Sequence, residues 1–202
     1  MWSSLWRIIR AFHLFDSSLP LGSFNYSFGV EEAYYQGLNV EGFIMSTFKN
    51  VIERGDIPIA RMAFEDPWRA NELSIASKLT RELREATINM GRSLALLNLC
   101  DDEFVNAVRR GINGSYPVVV ARCCVSMGID KTACLAGLAY SELVQMVYAA
   151  VRLGALNFLE GQKLITRVLN EVSLEGDFEP FSPVLDVISK KHEEREPKVF
   201  MS

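Results

Sequence analysis

Apolar positions recur every three to four residues along almost the whole chain, as in Leu5, Ile8, Ile9 and Phe12 with Leu14 or Phe15, then Phe43, Ile44, Phe48, Val51 and Ile52. That period puts side chains on one face of an α-helix, and no segment sustains the two-residue alternation of a half-buried strand. The pattern predicts a first helix ending near Phe15. Others follow over about 28–36, 41–54, 57–65, 68–97 with a break, 101–110, 116–127, 130–153, 156–171 and 182–194. Gly37, Gly55, Gly111, Gly114 and Gly128 stand where helices should stop, and Asp56, Asp101 and Asp130 where the next should start. The one β-branched run, Val118–Val120, follows Ser115-Tyr116-Pro117. A serine cap with proline in the first turn reads as a helix start, a short strand being the alternative. Residues 172–183 read as a connection ending in the cap-and-proline pair Ser182-Pro183. Helix 130–153 is apolar almost all round and so belongs at the centre. The expectation is an all-α, single-domain bundle over 1–202, of about eight to ten helices around that central helix, with a flexible tail at 192–202.

Composition narrows the classes. At 202 residues, 49% hydrophobic and 23% charged, the chain can bury one substantial core. Its net charge of −4 is evenly spread, with no cationic stripe to displace counterions from nucleic acid. The N-terminus meets Arg7 and Arg10 before any long apolar run, and the most apolar region is interrupted by Ser141, Glu142 and Gln145. Neither a signal peptide nor a spanning helix is expected, and the chain reads as cytoplasmic. Cys100, Cys123, Cys124 and Cys134 suit neither a disulfide framework nor a zinc site and read as reduced, buried thiols.

Chemistry is sparse. The two histidines, His13 and His192, lie far apart: His13 reads as structural, and His192, beside Glu193 and Glu194, as part of a solvated face. No P-loop triplet occurs, so nucleotide hydrolysis is not expected. Glu31 and Glu32 point about 100° apart on a helix and do not converge as an acid/base pair; Glu31 reads as a capping or partner-binding group. Too few imidazoles and thiolates cluster for a metal site, and no cofactor is implied. Lys78 with Glu82 and Arg81 with Glu85 fall at helical i, i+4 spacing, ordinarily a solvated face.

The stretch Asp16-Ser-Ser-Leu-Pro-Leu-Gly-Ser-Phe-Asn-Tyr-Ser-Phe-Gly-Val-Glu31 mixes turn chemistry with aromatics between two periodic segments. It resembles the N-terminal signature of the UreF family of urease accessory proteins at Asp16, Ser17, Leu19, Pro20, Gly22, Phe24, Ser27, Gly29 and Glu31. Residues 82–92 resemble the same family's E-x-R-x-A-S-x-x-x-G-R helix, with Thr87 for serine. At 150–162 the likeness holds at Ala150, Arg152, Leu153, Leu156, Gly161 and Gln162, with Glu160 for aspartate, whereas Ala155, Asn157 and Phe158 depart and a family proline that breaks the helix is missing. The ending His192-Glu193 with Lys198-Val-Phe-Met-Ser202 is likewise similar. The resemblance implies a dimeric, non-enzymatic scaffold. It would join a UreD/UreH-type accessory protein, the UreG GTPase and apo-urease, coupling GTP hydrolysis to nickel insertion. It places scaffold docking on Tyr140, His192, Glu193, Phe200, Met201 and Ser202, and a second, GTPase-facing surface on Gly22, Phe24, Ser27, Gly29 and Glu31. The competing readings are a helical hydrolase or transferase with Ser17 or Ser23 as nucleophile, and a generic helical module with a ligand in its core.

Overall fold

The computed structural model describes residues 2–202, and among them every regular element is helical. The α-helices are α1 (Trp2–Leu14), α2 (Val30–Tyr35), α3 (Val40–Thr47), α4 (Ile57–Ala63), α5 (Pro67–Ser77), α6 (Arg81–Leu96), α7 (Glu103–Arg109), α8 (Tyr116–Met127), α9 (Lys131–Arg152), α10 (Phe158–Asn170) and α11 (Pro183–His192). A 3-10 turn spans Ser23–Asn25 and a π-helical segment Phe48–Asp56.

The central helix is α9, started by Asp130, whose carboxylate accepts from Ala133 N at 2.9 Å. Helices α1, α2, α3, α4, α8 and α10 all pack on it, and Leu138, Leu143, Met146, Val147 and Ala150 are sealed from solvent. By length and composition alone α9 could cross a membrane, but 67% of its most apolar window is buried inside the bundle, as in a core helix. Val118–Val120 lie on α8, so the helical alternative holds.

The expected stop at Gly55 and start at Asp56 do not occur: helical backbone runs without a break from Val40 to Ala63, widening to the π form over 48–56. The connection after α10 straps across this widened segment. Glu179 N donates to Arg54 O at 2.9 Å and Ser173 N to Glu53 Oε1 at 3.1 Å, while Arg61 donates to Gly176 O at 2.7 Å. Asp56 therefore caps nothing and its carboxylate turns inward. The break expected within 68–97 falls at 78–80, and it undoes the Lys78–Glu82 pairing: Lys78 bonds Asp56 and Glu82 bonds the C-terminal segment. Both are buried rather than part of a solvated face.

Asn157, a departure from the family pattern, starts α10 by its own device. Its side chain accepts from Glu160 N at 2.9 Å and Glu160 returns a bond to Asn157 N at 2.8 Å, a complete capping box. The thiol expectation is corrected in part: Cys100 and Cys123, with Cα atoms 5.3 Å apart, are joined as a disulfide, and only Cys124 and Cys134 are free and buried.

Helix α1 is packed in reverse. Ala11, Leu14 and Phe15 meet the body, Arg10 donates to Met127 O at the C-terminal end of α8, and Leu5, Trp6, Ile8, Ile9 and Phe12 face outward.

Candidate partner-docking site

The 16–31 stretch is a compact turn built as its composition suggests. Asp16 accepts from Ser18 N at 2.7 Å, which holds its carboxyl below the usual carboxylate range, and Leu19 and Leu21 turn into the core. Gly22 and Gly29 take φ of +73° and +79°, the left-handed region that only glycine enters without strain. Gly29 is also crowded: a Cβ there would meet Leu185 Cδ1 at 2.8 Å and Ile188 Cγ2 at 3.2 Å. The turn thus opens α2 directly beneath α11.

Onto this turn the C-terminal segment folds back. Where a flexible tail is expected, the structure lays residues 198–202 in a groove made by the turn, α2, α6 and α9. Ser27 donates from both N and Oγ to Ser202 O, at 2.7 and 2.5 Å, and Met201 N donates to Asn25 O at 2.6 Å. Glu31 accepts from Val199 N at 2.7 Å and Phe200 N at 2.8 Å, so one carboxylate satisfies two successive backbone donors where the segment bends. Phe200 is 3% exposed, and the Arg152 guanidinium covers its ring at 4.6 Å while donating to Phe24 O at 2.6 Å. Burial of that ring and satisfaction of the backbone donors are what hold a short segment of this composition in place.

His192 is the pin, fully buried at the end of α11 rather than on a solvated face. Its Nδ1 lies 2.8 Å from Glu82 Oε2 and its Nε2 3.0 Å from Glu31 Oε2. Both ring nitrogens thus lie within hydrogen-bond distance of carboxylate oxygens, one from α2 and one from α6. Lys198 Nζ donates to Glu82 Oε1 at 2.9 Å, and Arg195 pairs with Glu32 while stacking on Tyr35. Burial pushes the Glu32 carboxyl up, but the Arg195 and Gln36 hydrogen bonds outweigh it and leave the group below its ordinary range. Three carboxylates, Glu31, Glu32 and Glu82, are thereby matched by His192, Arg195 and Lys198.

Two surfaces assigned separately on sequence are therefore one site, the tail and the 16–31 turn being bonded to each other. Ser27, Gly29, Glu31, His192, Phe200 and Ser202 are buried in it, whereas Phe24, Tyr140 and Met201 are 42, 46 and 58% exposed on its outside. Gly22 is exposed, and Glu193 is half-buried, its carboxyl held low by the Lys190 ammonium at 2.5 Å. Sequence reasoning left out Glu82, Arg152, Arg195 and Lys198. The signal was present for Glu82, Arg152 and Lys198, which occupy charged positions in the family-like stretches 82–92 and 150–162 and in the family-like ending. Among the described residues no three His, Cys, Asp or Glu side chains are grouped to hold a metal ion, and neither Ser17 nor Ser23 is hydrogen-bonded to a base.

The described residues thus form an all-helical bundle in which residues 198–202 are clasped against the 16–31 turn. The UreF family profile matches residues 38–169, and the chain belongs to the UreF family. It is 30% identical to the urease accessory protein UreF of Bordetella parapertussis and to that of Bordetella bronchiseptica, over 94% of this chain and 100% of each relative. A bifunctional urease accessory protein UreEF of Bordetella bronchiseptica is 30% identical over the same 94%, which is 51% of that longer protein.

Proposed function

We propose that this chain is a non-catalytic scaffold in urease maturation. It binds a UreD/UreH-type accessory protein and a UreG-type GTPase in the cytoplasm, and couples GTP hydrolysis to nickel insertion into apo-urease. The observation that carries this reading is the clasp: all four stretches that resemble the family contribute to it, and it is spent on positioning a peptide segment rather than on chemistry. Its exposed rim, Phe24, Tyr140 and Met201, is apolar and unpartnered, the composition of a docking surface rather than of an active site. Binding two partners at once would raise their effective concentration, and differential affinity for one GTPase state would supply the coupling.

The outward face of α1 fits the dimer that goes with this role. Of its five large apolar side chains, Ile8 and Phe12 line a hollow of about 410 Å³ together with Phe15, Ile129, Ala133 and Gly137, so the same patch offers a protruding aromatic in Phe12 and a recess to receive one. Arg7 and Asp130 sit on its rim with opposite charges, which a two-fold copy would pair. Phe12→Asp should convert a dimer to a monomer in sedimentation without loss of helix content.

The test of the scaffold reading is co-purification with the UreD/UreH-type protein, the GTPase and apo-urease, followed by urease activation with nickel, bicarbonate and GTP. Tyr140→Asp and Met201→Asp, on exposed side chains, should each weaken capture of the UreD/UreH-type partner at least tenfold with the melting temperature unchanged. Unaltered capture by both variants, or full urease activation with the chain left out, would overturn it.

A further inference from the structure

Away from the clasp, the core holds a second cluster of charged groups for which the scaffold role gives no use. Glu142 lies in the middle of α9 at 2% exposure, and its Oε2 is buried without a hydrogen-bond partner. It shares a narrow cavity of about 10 Å³ with Asp56, Lys78, Thr87 and Tyr116, among apolar side chains. That space is at the lower limit for a single water and too small for a hydrated ion. Lys78, itself buried, is already committed: its Nζ lies 2.8 Å from both oxygens of Asp56. One ammonium thus serves two enclosed carboxyls, with Asp186 of α11 near enough to feel it as a third.

We propose that Asp56, Lys78 and Glu142 form a proton-binding site, in which Glu142 carries a proton in the folded protein and its loss draws Lys78 away from Asp56. An ionised Glu142 would leave an unsolvated charge in the bundle, and a carboxylic acid is the form that such a cavity accepts. Burial first, then the nearby Asp56 carboxylate, push the Glu142 carboxyl well above its ordinary range, against a smaller opposing pull from Lys78. The other groups facing the cluster do not supply a counter-charge: burial raises the Tyr116 phenol, keeping it neutral, and burial also raises Asp186 despite Lys78.

The site is wired to α11. Lys78 belongs to the short connection between α5 and α6, two residues before Thr80, whose hydroxyl is 2.8 Å from Ser189 Oγ on α11. Arg84 holds that connection by bonding Lys78 O and Leu79 O. A Lys78 pulled toward Glu142 moves the anchor of α11, and α11 ends in His192. Deprotonation of Glu142, with the proton passing to solvent, therefore loosens the helix that pins the clasp.

The sign of the linkage is fixed. In the unfolded chain Glu142 ionises near the ordinary value of 4.5, and the folded chain keeps the proton to higher pH. Folding takes up a proton in between, so stability falls as pH rises above about 4.5 through the folded value. The experiment is infrared spectroscopy of the full chain with carbon-13 glutamate from pH 6 upward, alongside hydrogen exchange of 183–202 over the same range, corrected for intrinsic rates. At neutral pH the protein should show one isotope-shifted carboxylic-acid carbonyl band, absent in Glu142→Gln and in Asp56→Asn, where Lys78 is freed to pair with Glu142. Across the pH range in which the parent protein loses the acid band, protection of 183–202 should fall at least tenfold in the parent protein and change less than threefold in Glu142→Gln. The absence of the acid band from the parent protein overturns the assignment even if neither variant folds, and so does its persistence in Glu142→Gln. An equal pH dependence of exchange in parent and Glu142→Gln overturns the link to α11.

Discussion

Replacing His192 by alanine is expected to cost about 3–5 kcal/mol, a fall in melting temperature of roughly 6–20 °C for a chain of this size. The imidazole is fully enclosed and hydrogen-bonded on both sides, to Glu31 and Glu82. Truncation removes the ring that both buried carboxylates bond and leaves them facing each other across a void. Loss of the shared partner of two buried carboxylates is among the few single changes that reach this magnitude, because they can neither hydrate nor find new donors. The damage should also be local. Glu31 is the acceptor for Val199 and Phe200, and Glu82 for Lys198, so the segment after α11 should become the first target of limited proteolysis. Thermal unfolding and protease mapping measure the two effects. A melting temperature lowered by less than about 2 °C would show that the ring contributes no such pairing. Met201→Ala, on a 58% exposed side chain, is the control and should leave both readouts unchanged.

The helices were legible in the sequence because the three-to-four-residue spacing reports directly on which face meets the core, and Asp130, Ser182 and the Gly37 and Gly128 stops mark ends by local rules. What local rules do not hold is the partner of a charged side chain. The spacing of Lys78 and Glu82 is that of a helical ion pair, yet the chain bends between them and each finds a partner far along the sequence. The Gly55-Asp56 pair likewise reads as a helix boundary, but the strap 172–182 bonds across it and the backbone stays helical. His192 looked solvated for the same reason: its neighbours Glu193 and Glu194 are charged, and nothing nearby announces that α11 delivers its imidazole between α2 and α6. A tail rich in charge is expected to be mobile unless its charges are matched elsewhere, and here Arg195 and Lys198 are matched by Glu32 and Glu82. The candidate site was visible as four separate stretches. Their convergence was not, since it depends on contacts more than 100 residues apart, such as Ser27 to Ser202 and Glu82 to His192.

The conformation of the turn at Gly29 can be separated from its crowding by two substitutions. Gly29→Ala should destabilise by about 2–5 kcal/mol, the sum of roughly 1–2 kcal/mol for a side chain held at φ +79° and about 1–3 kcal/mol for overpacking. Gly37→Ala has nearly the same strain, φ +70°, with nothing within 4 Å of the added methyl, and should cost only the first of these. Their difference, read from denaturant unfolding, isolates the close approach of α11 to α2. The two should also part in function. The methyl at Gly29 meets Leu185 and Ile188, on the face of α11 that points at the turn, and pushing that helix outward withdraws His192 from Glu31. Capture of the UreD/UreH-type partner should therefore weaken in Gly29→Ala, at temperatures where the protein is still folded, and persist in Gly37→Ala. Equal stability of the two variants would mean that α11 yields without cost, and the clasp would then depend on its hydrogen bonds alone.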